Sequence, residues 1–142
     1  MENNLSDSYL IDYQKIAELN IPHAPIGNLL GIRIIDADVG RVVAEMNAQE
    51  SLLNSLGNIQ GGAISVLADT VMGLACGTKV SKSKKFSTLE FKINFIKPVN
   101  TGTLIAIGKV QHLGNLSCVS EAEIYNEDKQ LIAKSTGTLL IH

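Results

Sequence analysis

The stretch 58-NIQGGAISVLADTVMGLACGTK-79 decides how this chain is read. Between Gln60 and Lys79 it carries one charged side chain, Asp69, in a run that otherwise has the composition of a buried helix. A helix is expected from about Gly61 to Cys76. On a helical wheel Ile64, Leu67, Val71 and Leu74 form one stripe, which should face a sheet. Asp69 falls almost opposite, among Gly62, Ser65, Val66, Met72, Gly73 and Cys76. Small residues on that second face leave room for another backbone or a ligand. A lone carboxylate in apolar surroundings is costly unless something compensates it. One reading gives Asp69 a structural bond to a nearby hydroxyl or amide, or plain exposure. The other makes it a desolvated nucleophile or general base.

Gly61 and Gly62 open the same segment. The first amides of a helix have no partner within it, and they carry the positive end of its dipole. Glycines let a ligand approach such amides, where a carbonyl can be polarised and an oxyanion held. The plainer reading is a tight turn into the helix, and 57-GNIQGG-62 lacks the ending of a phosphate-binding loop. Geometry links the two features. Gly61 and Asp69 lie eight residues apart, roughly 12 Å along a helix axis, so one chain cannot bring both to one carbonyl. If they share a site, Asp69 comes from a second subunit with an antiparallel helix, which predicts a symmetric dimer with two composite sites.

Outward from this helix the pattern is mostly strands. Residues 8–20, SYLIDYQKIAELN, predict a short amphipathic helix ended by Pro22 and Pro25, part of an N-terminal helical extension over 1–26. LLGIRIIDA (29–37) and RVVAEMNA (41–48), joined at 38-DVG-40, predict a β-hairpin. STLEFKINFI (87–96) alternates, with Leu89, Phe91, Ile93 and Phe95 on one face and Thr88, Glu90, Lys92 and Asn94 on the other. Residues 103–113, 117–125 and 131–141 read as three further strands with hairpin-length connections. The expected fold class is α+β, a single domain over 1–142: one long central helix, about 61–76, wrapped by a curved antiparallel sheet.

With 142 residues the chain is long enough for one real core. A formal net charge of −2 gives no electrostatic case for nucleic acid. No apolar run is long enough to span a bilayer, and the N-terminus lacks the basic and apolar regions of a signal peptide. A cytoplasmic location is the expectation. Cys76 and Cys118 read as small core residues in a reducing compartment. His23, His112 and His142 show no metal-ligand spacing, so no metal site is expected.

The motifs resemble those of the hotdog-fold acyl-CoA thioesterases of the phenylacetate-degradation (PaaI-like) type. Their pattern N-x-x-G-x-x-H-G-G, followed seven residues later by the Asp of L-A-D-T, appears as 54-NSLGNIQGG-62 and 67-LADT-70. STLEFKINFIKP resembles the family's strand with its basic-residue–proline ending, and LIAKSTGTLLI its closing strand; the resemblance covers about residues 27–141.

The resemblance implies that the Gly61 amide polarises the thioester carbonyl and that Asn54 positions the acyl-thioester or holds the loop. It further implies that Asp69 of the neighbouring chain attacks the carbonyl or activates water. Thr88 falls where relatives place a Ser or Thr near the thioester sulfur. Gln60, Gly62 and Ser65 fall on the substrate-binding side. Lys84 and Lys85, in the loop 79-KVSKSKK-85, are offered to the phosphates of coenzyme A, against the reading of a solvated lysine loop. A homodimer is implied, with many such dimers pairing into tetramers, and no cofactor beyond the CoA of the substrate. Two departures stand out. Gln60 replaces the family's His and cannot take up a proton near neutral pH. Asn115 stands where an Arg often contacts coenzyme A. The expected activity is hydrolysis of an acyl-CoA to CoA and a carboxylic acid. The alternative, favoured by Gln60, is a non-catalytic acyl-CoA binding or sensing protein.

Overall fold

A computed structural model describes residues 24–142; the helix expected over 8–20 lies outside them. The first element is a short helix, α1 (Pro25–Leu30). Pro25 presets its opening dihedral, and Gly31, at φ 73°, closes it in the left-handed region. The amides of Gly31 and Ile32 donate to the carbonyls of Asn28 and Gly27. This helix absorbs Leu29 and Leu30, which were expected in a strand. Strand β1 therefore begins only at Arg33 and runs Arg33–Asp38.

β1 turns at Val39–Gly40 into β2 (Arg41–Asn47). The long helix α2 (Gly61–Gly77) follows, then β3 (Phe86–Phe95), β4 (Thr103–Leu113), β5 (Ser117–Tyr125) and β6 (Leu131–Ile141). The six strands make one antiparallel sheet in the order β1-β2-β4-β5-β6-β3. Strand β3 thus leaves the helix for the far edge and pairs only with β6 among the described residues. No helix among them is long and apolar enough to cross a membrane.

The sheet curls round α2. Ile64, Leu67, Val71 and Leu74 are buried against it, as the wheel expects, together with Met46, Leu104 and Ile124. Contact is closest at β4. A β-carbon on Gly108 would lie 2.3 Å from the Val71 carbonyl oxygen, so helix and strand meet backbone to backbone. The wrapping extends further than one helix face. Met72 and Cys76, placed by the wheel on the side of Asp69, are buried too. The Met72 carbonyl accepts a hydrogen bond from the Ser120 hydroxyl at 3.2 Å, and Cys76 packs in a satellite cluster with Cys118, Leu139 and Val80. Every residue from Val71 to Thr78 is buried, whereas Gly61, Ala63, Ser65, Val66 and Asp69 are only half so. The open face of α2 is its first half.

Strand β3 departs from simple alternation. Its pairing with β6 passes from Thr88↔Leu139 to Glu90↔Thr138, so Leu89 is the extra residue of a β-bulge and is 65% exposed. The bulge shifts the phase by one. Phe86 and Thr88 before it, and Phe91, Ile93 and Phe95 after it, all face α2. Thr88 therefore lies on the helix side, not on an outer polar face as alternation predicted, and Leu89 leaves the face expected for it. Gly137 sits across from this point, where a β-carbon would come within 2.6 Å of the Phe91 Cβ.

Candidate active site

The residues before α2 form a tight turn stapled by Asn54. Its Oδ1 accepts hydrogen bonds from the amides of Leu56 at 2.9 Å and Asn58 at 3.2 Å. The Asn54 amide donates to the Asn58 carbonyl, and Gly57, at φ 80°, donates back to the Asn54 carbonyl. Asx-turn chemistry explains the asparagine, and the left-handed backbone explains the glycine. The Ile59 amide donates to the Val99 carbonyl and the Gln60 amide to the Leu52 carbonyl, so the turn delivers the start of α2 to a fixed place. Gln60 is the N-cap residue and is exposed, and among the described residues no side chain caps this helix end. The Ala63 amide donates to the Gln60 carbonyl, and the amides of Gly61 and Gly62 have no partner among the described residues.

Gly61 lies under the ring of Phe95. A β-carbon there would meet three ring atoms at 3.0, 3.2 and 3.4 Å. Beside them opens a cleft of ≈ 320 Å³, bounded by Ile59, Ile64, Ile96, Pro98 and Val99, with Asn54, Asn58 and Lys97 as its polar members. The face of Gly62 is open, its nearest neighbour being the Gln60 side chain. The Ser65 hydroxyl donates to the Gly61 carbonyl at 2.8 Å, a bond within the helix.

A second cluster lies two turns further along. Asp69 is half-buried, and its Oδ1 accepts a hydrogen bond from the Thr88 hydroxyl at 2.7 Å. Without the bulge at Leu89 the threonine could not face the helix at that level. The structural and functional readings of Asp69 thus meet in one contact: a hydroxyl orients a carboxylate that still reaches solvent. Lys84 and Lys85 are exposed beyond the end of α2, and the Lys85 amide donates to the His142 carbonyl to fix the start of β3. Asn54, Gln60, Gly61 and Gly62 therefore lie at one end of the helix, and Asp69 with Thr88 at its middle, about 12 Å apart along the axis.

Two pairs of groups outside this helix face have displaced proton affinities. On the outer sheet face, a hydrogen bond from Tyr125 holds the Glu123 carboxyl below its usual range and raises the tyrosine in turn. At the sealed end of α2, the neighbouring Cys118 and burial push the Cys76 thiol up.

The family model of the thioesterase superfamily matches residues 56–133, from the Asn54 turn to β6. The chain belongs to the thioesterase superfamily. The acyl-coenzyme A thioesterase PaaI of Escherichia coli is 33% identical over 109 residues, 76% of each chain. The solved structure of that protein superposes with a TM-score of 0.80 at 27% identity, covering 90% of this chain and 91% of its own. A conserved Pseudomonas aeruginosa protein of known structure superposes with the same TM-score of 0.80 at 34% identity, covering 88% of this chain and 98% of the other. This thioesterase is a PaaI-like hotdog protein and a thioester hydrolase, as its motifs indicated. Phe95, Asn58 and Ile96 were not singled out in the sequence. The signal for Phe95 was Gly61 itself, a glycine whose β-carbon would meet an aromatic ring.

Proposed function

We propose that the protein hydrolyses an acyl-CoA to coenzyme A and a carboxylic acid at composite sites in a symmetric homodimer, which can pair again into a tetramer. The observation that carries the reading is the Thr88–Asp69 hydrogen bond at 2.7 Å, on the same helix as an uncapped amide end too distant to act with it in one chain. The edge of β3, unpaired among the described residues, and the half-exposed first half of α2 support a second copy laid antiparallel across them, as does the similarity to PaaI.

In the reaction so assigned, the thioester carbonyl oxygen accepts a hydrogen bond from the Gly61 amide. Asp69 of the partner subunit takes a proton from water as the water oxygen bonds to the carbonyl carbon. The helix end holds the oxyanion, and its collapse breaks the C–S bond; the CoA thiolate then takes the proton from the aspartic acid. Attack by the carboxylate itself would use the same groups through an anhydride. Thr88 fixes Oδ1 and leaves Oδ2 for the water. Asn54 holds the turn, and Gln60 and Gly62 border the thioester. Ser65 braces the helix end, and Lys84 and Lys85 are available to the CoA phosphates. These groups suffice without a metal or redox cofactor. Gln60 replaces an ionisable residue, so proton transfer falls to Asp69 alone.

A panel of acyl-CoAs assayed by thiol release tests the proposal. Turnover supports it; saturable binding without turnover would replace it with an acyl-CoA sensor. Thr88 gives a finer test. Losing a hydrogen bond to a charged acceptor is worth about 1.5–3 kcal/mol. Thr88→Ala should therefore lower kcat roughly 10- to 100-fold with little change in KM, and Thr88→Ser should restore most of it. Equal rates for native and alanine forms would remove Thr88 from the site.

A further inference from the structure

We infer that Phe95 is the acyl-chain gauge of this thioesterase, the side chain that limits how long an unbranched aliphatic acyl group can be. The inference rests on the proposed role of the Gly61 amide. A carbonyl oxygen bound at that amide leaves its two substituents, the acyl carbon chain and the sulfur arm, within a bond or two of Gly61. What lies there is the Phe95 ring, 3.0–3.4 Å from the position of a Gly61 β-carbon.

The cleft beside the ring is apolar at its base, with Asn54 and Asn58 half-buried and Lys97 exposed in the rest of its lining. Ile59 and Val99 are buried at its base, and Ile64 is buried on the helix side. Phe95 and Ile96 stand 52% and 54% exposed at its edge. The sulfur arm of coenzyme A carries two amides, which the buried base of Ile59, Ile64 and Val99 cannot satisfy; an alkyl chain has nothing to satisfy there. The cleft therefore takes the acyl side of the carbonyl. Branched aliphatic walls with one ring favour a flexible alkyl chain, and the ring is the largest group across its path. Its position is fixed from two sides. Phe95 ends β3, paired with Ala133, and its ring rests on a glycine that offers no side chain to yield.

The test compares kcat/KM over straight-chain acyl-CoAs of two to sixteen carbons for the native protein, Phe95→Leu and Phe95→Ala. The optimum should move to longer chains in that order. In Phe95→Ala, chains beyond the native optimum should gain about fourfold for each further methylene accommodated. Non-hydrolysable thioether analogues, titrated by calorimetry, should show the same order in affinity. Phe95→Leu keeps the comparison available if the alanine form does not fold. An unchanged length profile in an active, folded variant overturns this inference and leaves the proposed activity standing. If the native protein neither binds nor hydrolyses any member of the series, both fall together.

Discussion

Asp69→Asn is expected to cut kcat for acyl-CoA hydrolysis by about 10³-fold while leaving the protein folded, in line with the worth of a positioned general base. The substitution is isosteric. Asparagine keeps a carbonyl oxygen for the Thr88 hydroxyl, so the local hydrogen bond survives and only the charge and basicity are lost. Asp69 is half-exposed, so an uncharged amide of the same shape fits its place without a new burial cost. Saturating rates by thiol release, with sedimentation to confirm an unchanged assembly, are the measurements. A variant that keeps a tenth of the native rate would deny Asp69 any part in proton transfer or attack. Complementation reads the composite site directly. Gly61→Val would drive a side chain into the Phe95 ring and disable the amide end. Exchanging subunits between this variant and Asp69→Asn makes heterodimers in which one of two sites is intact, so random mixing should restore about a quarter of native activity. No recovery would place Gly61 and Asp69 in separate functions.

The largest effect on stability is expected at Gly108. A β-carbon there would fall 2.3 Å from the Val71 carbonyl oxygen and 2.4 Å from its carbon. Both offending atoms are backbone of the core helix, and the β-carbon would stand on a central strand, so no side chain can rotate away. Relief requires α2 to lift from β4, which loosens the packing of Leu67 and Val71 as well. Overpacking of a core typically costs about 1–3 kcal/mol and more where backbone must move; Gly108→Ala should sit at or above the top of that range. The urea midpoint, with the slope checked for constancy, reports it. Gly62→Ala supplies the contrast. Its β-carbon would meet nothing nearer than the Gln60 Cγ at 3.9 Å, and alanine favours a helix over glycine by roughly 0.5–1 kcal/mol. A Gly108→Ala midpoint within error of native would mean that the helix does not rest on β4 as described.

These residues also show where sequence reading stops. The strands at 103–113, 117–125 and 131–141 were legible because alternation holds over most of each and turn residues bound them, with irregular pairing near Val110–His112 and Ile124–Tyr125. The start of β1 was not, because Pro25 and Gly31 bracket a six-residue helix too short to show a period. The bulge at Leu89 was invisible for a related reason: one inserted residue leaves both halves of β3 alternating, and only pairing with β6 reveals the phase change. Gly108 and Gly137 look like any strand glycines until something is laid across them. In the site, Asp69 declared itself as a lone carboxylate in an apolar run. Thr88 was reached through family resemblance, and its face was misjudged because of the bulge. Ser65 was placed on the open face from the helical wheel, but the bond of its hydroxyl to the Gly61 carbonyl, one turn back, has no mark in the sequence.

The uneven burial of α2 has a mechanical consequence. The helix is a beam clamped at one end: from Val71 onward it is held on all sides, and at Gly108 it rests on β4 without a spacer. Toward Gly61 one face is bare, and the end is held through the Asn54 turn, the hydrogen bonds of Ile59 to Val99 and Gln60 to Leu52, and the Phe95 ring. Opening free energies follow local packing, so protection against amide exchange should rise along α2 from Gly61 toward Thr78.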